Sequence, residues 1–341
     1  MIFQMLKKLC ARWLGKFLVP QVRGSWYQKC KYHGADKITQ FDAFLRAQSV
    51  STAILYDYFL NLHITRHEIQ TVKGDFLDAV LIRTNNLSNP EGLLTIFFNG
   101  GQGEYYEARF KDMAMQSKAT NSDILGFNYR GVNESEGSIE NLQDMVDDAI
   151  NVIQFAIKIL HYDAKNIVLQ GNSLGAVVQA MANEYLLRRM RISLRQINSN
   201  SFASLTDVII KLYRLPRFTW PIIRSFLLYT GWEISAVSDF FTTGPHRIIL
   251  KRIGDRTILP GAAAYDRIDI AQDCADCPEG YREVNRLLYD NCTLSVIDKP
   301  SNASDPHNLA LHKFRPVHPQ KFASVYDLIN FYLTNSRHYY E

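Results

Sequence analysis

The chain has 341 residues, 47% of them hydrophobic and 21% charged, with 18 Gly, 11 Pro and a formal net charge of +4. That composition excludes disorder, collagen-like repeats and coiled coil, and a chain of this length buries enough surface to fold without disulfides or a structural metal. A basic surplus this small, interleaved with acids, gives no ground for nucleic-acid binding, and the five irregularly spaced cysteines (Cys10, Cys30, Cys274, Cys277, Cys292) read as free thiols in a reducing compartment.

Residues 1–61 read as a helical, amphipathic N-terminal segment. Phe3, Leu6, Leu9 or Cys10, Trp13 and Phe17 recur at helical spacing, with Lys7, Lys8, Arg12 and Lys16 between them. This stripe either docks the helix on the main domain, the simpler reading, or lies on a membrane surface with its basic face on anionic headgroups. Arg12 and Lys16 interrupt what would be the apolar core of a signal peptide, and no small-residue cleavage site follows, so no cleavage is expected. No stretch has the roughly 18 uncharged apolar residues of a spanning helix, so a soluble or peripheral protein is expected.

From Leu62 the pattern becomes extended. Leu62 to Val72 and Phe76 to Thr84, separated by Lys73-Gly74-Asp75, predict an antiparallel hairpin. Leu93 to Phe98 is a continuous apolar run, as in strands buried on both faces of a sheet. A second run covers Asp123 to Tyr129, and Ile139 to Leu160 follows a helical period. A third strand, Asn166 to Gln170, is followed by a helix from Leu174 to about Met190. This alternation predicts an α/β architecture, a mostly parallel central sheet with helices on both faces and ligands at the carboxyl ends of the strands. The strand ends are Asn99, Arg130, Gly171 and, later, Gly254. Residues 62–204 are then the first part of this core.

Residues 205–243 break the pattern. Leu, Ile, Tyr, Phe and Trp mix with Lys211, Arg214, Arg217, Arg224, Pro216 and Pro221, too charged to span a membrane and too apolar for a solvated loop. This insertion is read as a cap, or as packing alone. The core resumes over 244–341 with strands at His246 to Ile253 and Cys292 to Ile297 and a helix from about Pro319 to Leu333.

The chemistry centres on Gly171-x-Ser173-x-Gly175, after an apolar strand and before an apolar helix. That context fits a sharp strand-to-helix turn that exposes the serine hydroxyl beside the unpaired N–H groups of the helix start. A serine needs a base to remove its proton, usually a histidine oriented by a carboxylate, in the chain order Ser, Asp or Glu, His. Asp255, in Gly254 to Pro260 after a strand, is the expected acid, with Asp266 and Asp269 as rivals. His307, in the loop from Asp298 to Asn308, is the expected base, with His312 and His318 as alternatives. The oxyanion donors are expected to be the N–H of Leu174 and that of Gly101 or Gln102, in the glycine-rich loop Asn99 to Gly103.

Cys274, Cys277 and Cys292 lack a fourth zinc ligand at matching spacing, although His246 or Asp276 could be imagined, and free thiols are the preferred reading. Neither a Gly-x-x-x-x-Gly-Lys motif nor Gly-x-Gly-x-x-Gly after a strand is present, which removes kinase and dinucleotide readings. No cofactor and no metal are expected.

With Gly171 to Gly175, the Asn99 to Gly103 loop, Asn128-Tyr129-Arg130-Gly131, Gly254 to Pro260 and His307-Asn308 in order, the chain resembles the α/β-hydrolase superfamily from about residue 62 onward. The blocks Phe97 to Glu107 and Asn198 to Leu205 resemble a group of lipase-like proteins from intracellular bacteria that includes chlamydial proteins and the SidB/Sdb-type effectors of Legionella. The usual His-Gly opening of the oxyanion loop is replaced by Asn99-Gly100. The resemblance implies an esterase or lipase, made in the cytoplasm and delivered into a host cell without a cleaved signal.

The expectation is therefore a serine hydrolase acting on carboxylic esters, with a lipid or acyl ester under an apolar cap. The first twenty residues and the cap would supply peripheral membrane contact. A fold retained as a silent binding module at a membrane is the alternative. A thioesterase, amidase or acyltransferase would use the same residues.

Overall fold

The computed structural model describes residues 2–18, 62–84, 92–100, 104–234, 247–252, 257–258, 262, 292–298, 315–316 and 324–335. Its centre is a nine-stranded sheet in the order β1-β2-β4-β3-β5-β6-β7-β8-β9. The strands are β1 (Leu62–Gln70), β2 (Phe76–Thr84), β3 (Leu94–Phe98), β4 (Asp123–Phe127), β5 (Ile167–Asn172), β6 (Arg195–Ser199), β7 (Arg247–Arg252), β8 (Cys292–Asp298) and β9 (Arg315–Pro316). β1 and β2 form the expected hairpin, Leu62 opposite Thr84 and Gln70 opposite Phe76. β2 is antiparallel to β4, β3 to β8 are parallel, and β9 closes the far edge antiparallel.

Alternation along the strands sends successive side chains to opposite faces, which produces two apolar layers. Ala79 and Leu81 of β2, Leu94, Ile96 and Phe98 of β3, and Ile167 and Leu169 of β5 share one core with helices α3 (Leu142–Lys158) and α4 (Leu174–Met190). On the other face Val80, Ile82 and Ile124 meet Tyr106, Phe110 and Met113 of α2 (Tyr106–Thr120). There too Val168, Ile197, Ile248 and Leu250 meet Val325, Ile329 and Leu333 of α7 (Val325–Asn335). α3 starts at a reciprocal cap: the Asn141 side chain accepts from the Asp144 N–H at 3.1 Å, and the Asp144 carboxylate accepts from the Asn141 N–H at 3.2 Å.

Two elements differ from the expectation. α2 and β6 were not predicted, and both carry polar side chains into the interior. β6 reads Arg-Gln-Ile-Asn-Ser and is buried throughout. Part of its polar complement is matched by partners distant in sequence: Arg195 donates to the Leu333 and Lys165 carbonyls at 3.0 and 2.8 Å, and the Gln179 amide donates to the Ile197 carbonyl at 3.0 Å and to the Asn198 side-chain oxygen, while the Gln196 side-chain amide is buried with no hydrogen-bond partner among the described residues. The expected strand 123–129 ends at Phe127, and the terminal helix starts at Val325, behind a Ser324 hydroxyl that accepts from the Asp327 N–H at 3.1 Å.

Residues 205–230 form α5 (Leu205–Leu212) and α6 (Trp220–Thr230). The N-terminal helix α1 (Ile2–Leu18) docks on the body, but not through the stripe the sequence suggests. Ala11 and Leu14 are buried, the Trp232 indole donates to the Ala11 carbonyl at 3.1 Å, and Gly15 lies so close to Ile139 that a Cβ would stand 2.6 Å from its carbonyl oxygen. Leu6, Leu9 and Trp13 are left exposed. The small side chains at Ala11 and Gly15 permit this close approach, whereas the bulky stripe would hold the helix off.

Candidate active site

Ser173 alone separates β5 from α4, with φ 52 and ψ −121. For a residue with a Cβ this conformation costs on the order of 1–3 kcal/mol and persists only where surroundings enforce it. They do so here. The Ser173 N–H donates to the Ser199 carbonyl of β6 at 2.9 Å, and its carbonyl accepts from the N–H groups of Ala176 and Val177 at 3.1 and 3.3 Å.

The flanking glycines are required by space. A Cβ on Gly171 would lie 2.6 Å from the Ala176 nitrogen, and one on Gly175 would lie 2.3 Å from the Asn99 carbonyl oxygen and 2.6 Å from that of Phe98. The turn is therefore pressed against the end of β3. Ser173 is buried apart from 8% of its surface. Leu174 follows as the first residue of α4, where backbone N–H groups have no partner within the helix.

The loop after β3 starts beside the same turn. Asn99 is buried and its amide donates to the Phe127 carbonyl at 2.8 Å, tying the end of β3 to that of β4. The Gly100 N–H donates to Glu104 Oε2 at 2.7 Å, and a Cβ on Gly100 would lie 3.2 Å from the Asn172 side-chain nitrogen. Glu104 is also ion-paired with Arg109, which reaches Asp112 at 3.5 Å. The carboxylate thus bridges the start of the loop to the first turns of α2. Sequence reading gave Glu104 and Arg109 no part in the site. A carboxylate directly after a glycine-rich loop was the available signal.

Gly101 and Gln102 lie outside the described residues, as do Asp255, Asp266, Asp269, His307, His312 and His318. The strands that precede Asp255 and His307, β7 and β8, are adjacent and parallel to each other, in register from Arg247 opposite Cys292 to Arg252 opposite Ile297. Through β6 they belong to the same parallel set as β5, so these strands end along the edge where Ser173 stands. After Asp255, Ile258 and Ala262 return to the core, and the Ala262 carbonyl accepts from the Ala203 N–H at 2.9 Å. Cys274 and Cys277 also lie outside the described residues, and no cluster of metal-ligating side chains occurs among the described ones.

Arg130, expected at a strand end, is structural in its contacts. Its backbone N–H and Nε both meet Asp148 at 2.9 Å, and Nη1 meets Asp144 at 3.2 Å. Burial pushes the Asp148 carboxyl up to about 6 against the opposing pull of Arg130. A second buried network lies at the start of α2. Glu107 accepts from the amides of Asn128 at 3.0 Å and Asn133 at 3.1 Å, and the Tyr106 hydroxyl donates to Asp78, which pairs with Arg66 at 2.6 Å. Burial, reinforced by the Asp78 charge, raises the Glu107 carboxyl to about 7.

The strand order, the parallel core and the strained serine turn define a class, the α/β-hydrolase fold. Solved structures agree. The Pyrococcus furiosus esterase Pf2001 superposes with a TM-score of 0.53 at 15% identity, covering 82% of this chain and 92% of that one. The esterase LipW from Mycobacterium marinum does so with a TM-score of 0.54 at 13% identity, covering 86% and 87%. Within that class, residues 3–192 match the model of the family described as Chlamydia CHLPS protein (DUF818), and the chain belongs to it. The matched stretch includes α1, the loop after β3 and Ser173, but neither Asp255 nor His307. An uncharacterized protein of Caenorhabditis elegans is 36% identical over 118 residues, 34% of this chain and 23% of its own length. An uncharacterized protein of Acanthamoeba polyphaga mimivirus is 30% identical over 112 residues, 32% of this chain and 36% of its own length. The alignments therefore span about a quarter to a third of these curated relatives.

Proposed function

We propose that the protein is a serine hydrolase that cleaves carboxylic esters through an acyl-enzyme. The observation that carries this reading is the Ser173 turn, a positive φ at a non-glycine residue enforced by two glycines that admit no side chain. Strained backbone clusters at active sites, and a serine on a sharp strand-to-helix turn is the arrangement that exposes a nucleophile. The likeness to esterases in fold supports the reading.

In this mechanism the Ser173 hydroxyl attacks the ester carbonyl while His307 takes its proton, then returns it to the leaving alcohol. Asp255 orients the imidazole and stabilises its charged form. The negative charge that develops on the carbonyl oxygen is met by the Leu174 N–H and by that of Gly101 or Gln102. The Gly100 N–H is already given to Glu104, which leaves the second donor to the residues beyond it. Water then repeats the sequence on the acyl-enzyme. An acyl chain or lipid ester suits the apolar residues 205–243 as a cover, and delivery into a host cell remains part of the same proposal.

Turnover of a nitrophenyl ester by the purified chain tests it. The expected result is hydrolysis that Ser173→Ala, Asp255→Asn and His307→Ala each reduce by about 10³-fold or more with the fold retained. Turnover unchanged in Ser173→Ala would contradict it.

A further inference from the structure

α1 and α6 each present large apolar side chains to solvent. On α1, Leu6, Leu9 and Trp13 follow one face, with Leu9 69% and Trp13 65% exposed. On α6 and the turn before it, Phe218, Ile222, Phe226 and Tyr229 do the same, with Phe218 76% and Ile222 68% exposed. The two helices adjoin where the Lys7 ammonium stands 5.5 Å from the centre of the Tyr229 ring. Large apolar side chains gathered on one side of a molecule mark a contact surface, whereas scattered ones do not.

The charge of these segments says what the contact is. α1 carries four Lys or Arg and no acid, and residues 205–230 carry four more against the single acid Asp207. The whole chain has a surplus of only four, so the remainder is net acidic. A second copy of this chain would set like charges against each other. A bilayer containing anionic lipid satisfies both halves of the surface, taking the apolar stripes at the acyl boundary and the cations at its phosphates.

Both helices stand at the N-terminal end of α3. α1 presses Gly15 against Ile139 and pairs Arg12 with Glu140 at 2.5 Å, and the Gly231 carbonyl after α6 accepts from the Leu142 N–H at 3.2 Å. Arg130, just past the end of β4, reaches Asp144 in the first turn of α3 at 3.2 Å, so this is also the edge of the sheet at which Ser173 stands. We propose that the paired α1 and α6 stripes, with the basic residues around them, dock the protein on an anionic lipid bilayer. Binding of this kind is independent of catalysis by Ser173.

The full chain carrying Ser173→Ala, which cannot consume the lipid, is sedimented with vesicles of phosphatidylcholine alone and of phosphatidylcholine mixed with phosphatidylserine. The expected result is binding to the mixed vesicles that weakens as salt is added, and little binding to the neutral ones. Trp13→Asp with Ile222→Asp should lower the bound fraction about tenfold or more at an unchanged circular dichroism spectrum, because both side chains are exposed. Lys8→Glu with Arg217→Glu should act the same way through charge alone. Equal binding to both vesicles, binding indifferent to both pairs of substitutions, or a dimer that the Trp13 and Ile222 substitutions dissociate would each overturn the proposal.

Discussion

Glu107 shows what a single buried carboxyl does to the balance of this fold. Its environment, dominated by burial, holds the folded carboxyl at about 7, above its unfolded value of 4.5, even though Asn128 and Asn133 donate to it. The folded state therefore binds more protons than the unfolded state between those values, so this residue makes stability fall as pH rises through that window. The penalty above pH 7 is about 3 kcal/mol on the linkage relation. In Glu107→Gln that part of the pH dependence should vanish, leaving a variant more stable than wild type at pH 8. Urea midpoints taken from pH 5 to pH 8 check this, and a variant that keeps the wild-type slope would contradict it. The sequence shows Glu107 only as an acid after a glycine-rich loop, because the groups that surround it come from Asp78, Asn128 and Asn133, distant along the chain.

Elements in this protein are joined by charge as well as by apolar contact. The segment after β4 is held to α3 by Arg130, 2% exposed, on the fully buried Asp148. Removing the Arg130 side chain leaves the Asp148 carboxyl buried with its charge uncompensated and only the residue-130 N–H still donating to it. Arg130→Met should thus lower stability by about 3–5 kcal/mol, while Arg130→Met with Asp148→Leu should recover most of it. Equilibrium unfolding of both variants decides the matter, and a single variant as stable as wild type would show that the pair contributes nothing. The legibility of elements follows the same division. β3, β5 and α3 were readable because their apolar residues run continuously or at helical spacing. β6 and α2 were not, since Arg195, Gln196 and Asn198 in one and Glu107, Gln116 and Ser117 in the other are buried polar residues. Their partners, such as Gln170 opposite Gln116 at 2.6 Å, are set by tertiary contacts that no local pattern announces.

At the scale of the molecule, a sheet ordered β1-β2-β4-β3-β5-β6-β7-β8-β9 brings residues far apart in sequence to one edge. The reading of Gly171, Ser173 and Gly175 from the sequence rested on local sterics, and the structure gives those sterics as distances. The docking of α1 was half legible: the helix could be read, but its buried face could not, because Ala11, Leu14 and Gly15 rather than the large stripe make the contact. Chain order, Ser then Asp then His, points to Asp255 and His307 as the proposed acid and base. The direct measurement is labelling of the purified chain with a fluorophosphonate, which reacts with a serine only when a base and oxyanion donors are assembled around it. One equivalent of label is expected on Ser173 in the wild type, none in Ser173→Ala, and strongly reduced labelling in Asp255→Asn and His307→Ala. A folded wild-type chain that takes up no label, or label on a residue other than Ser173, would contradict the proposed function.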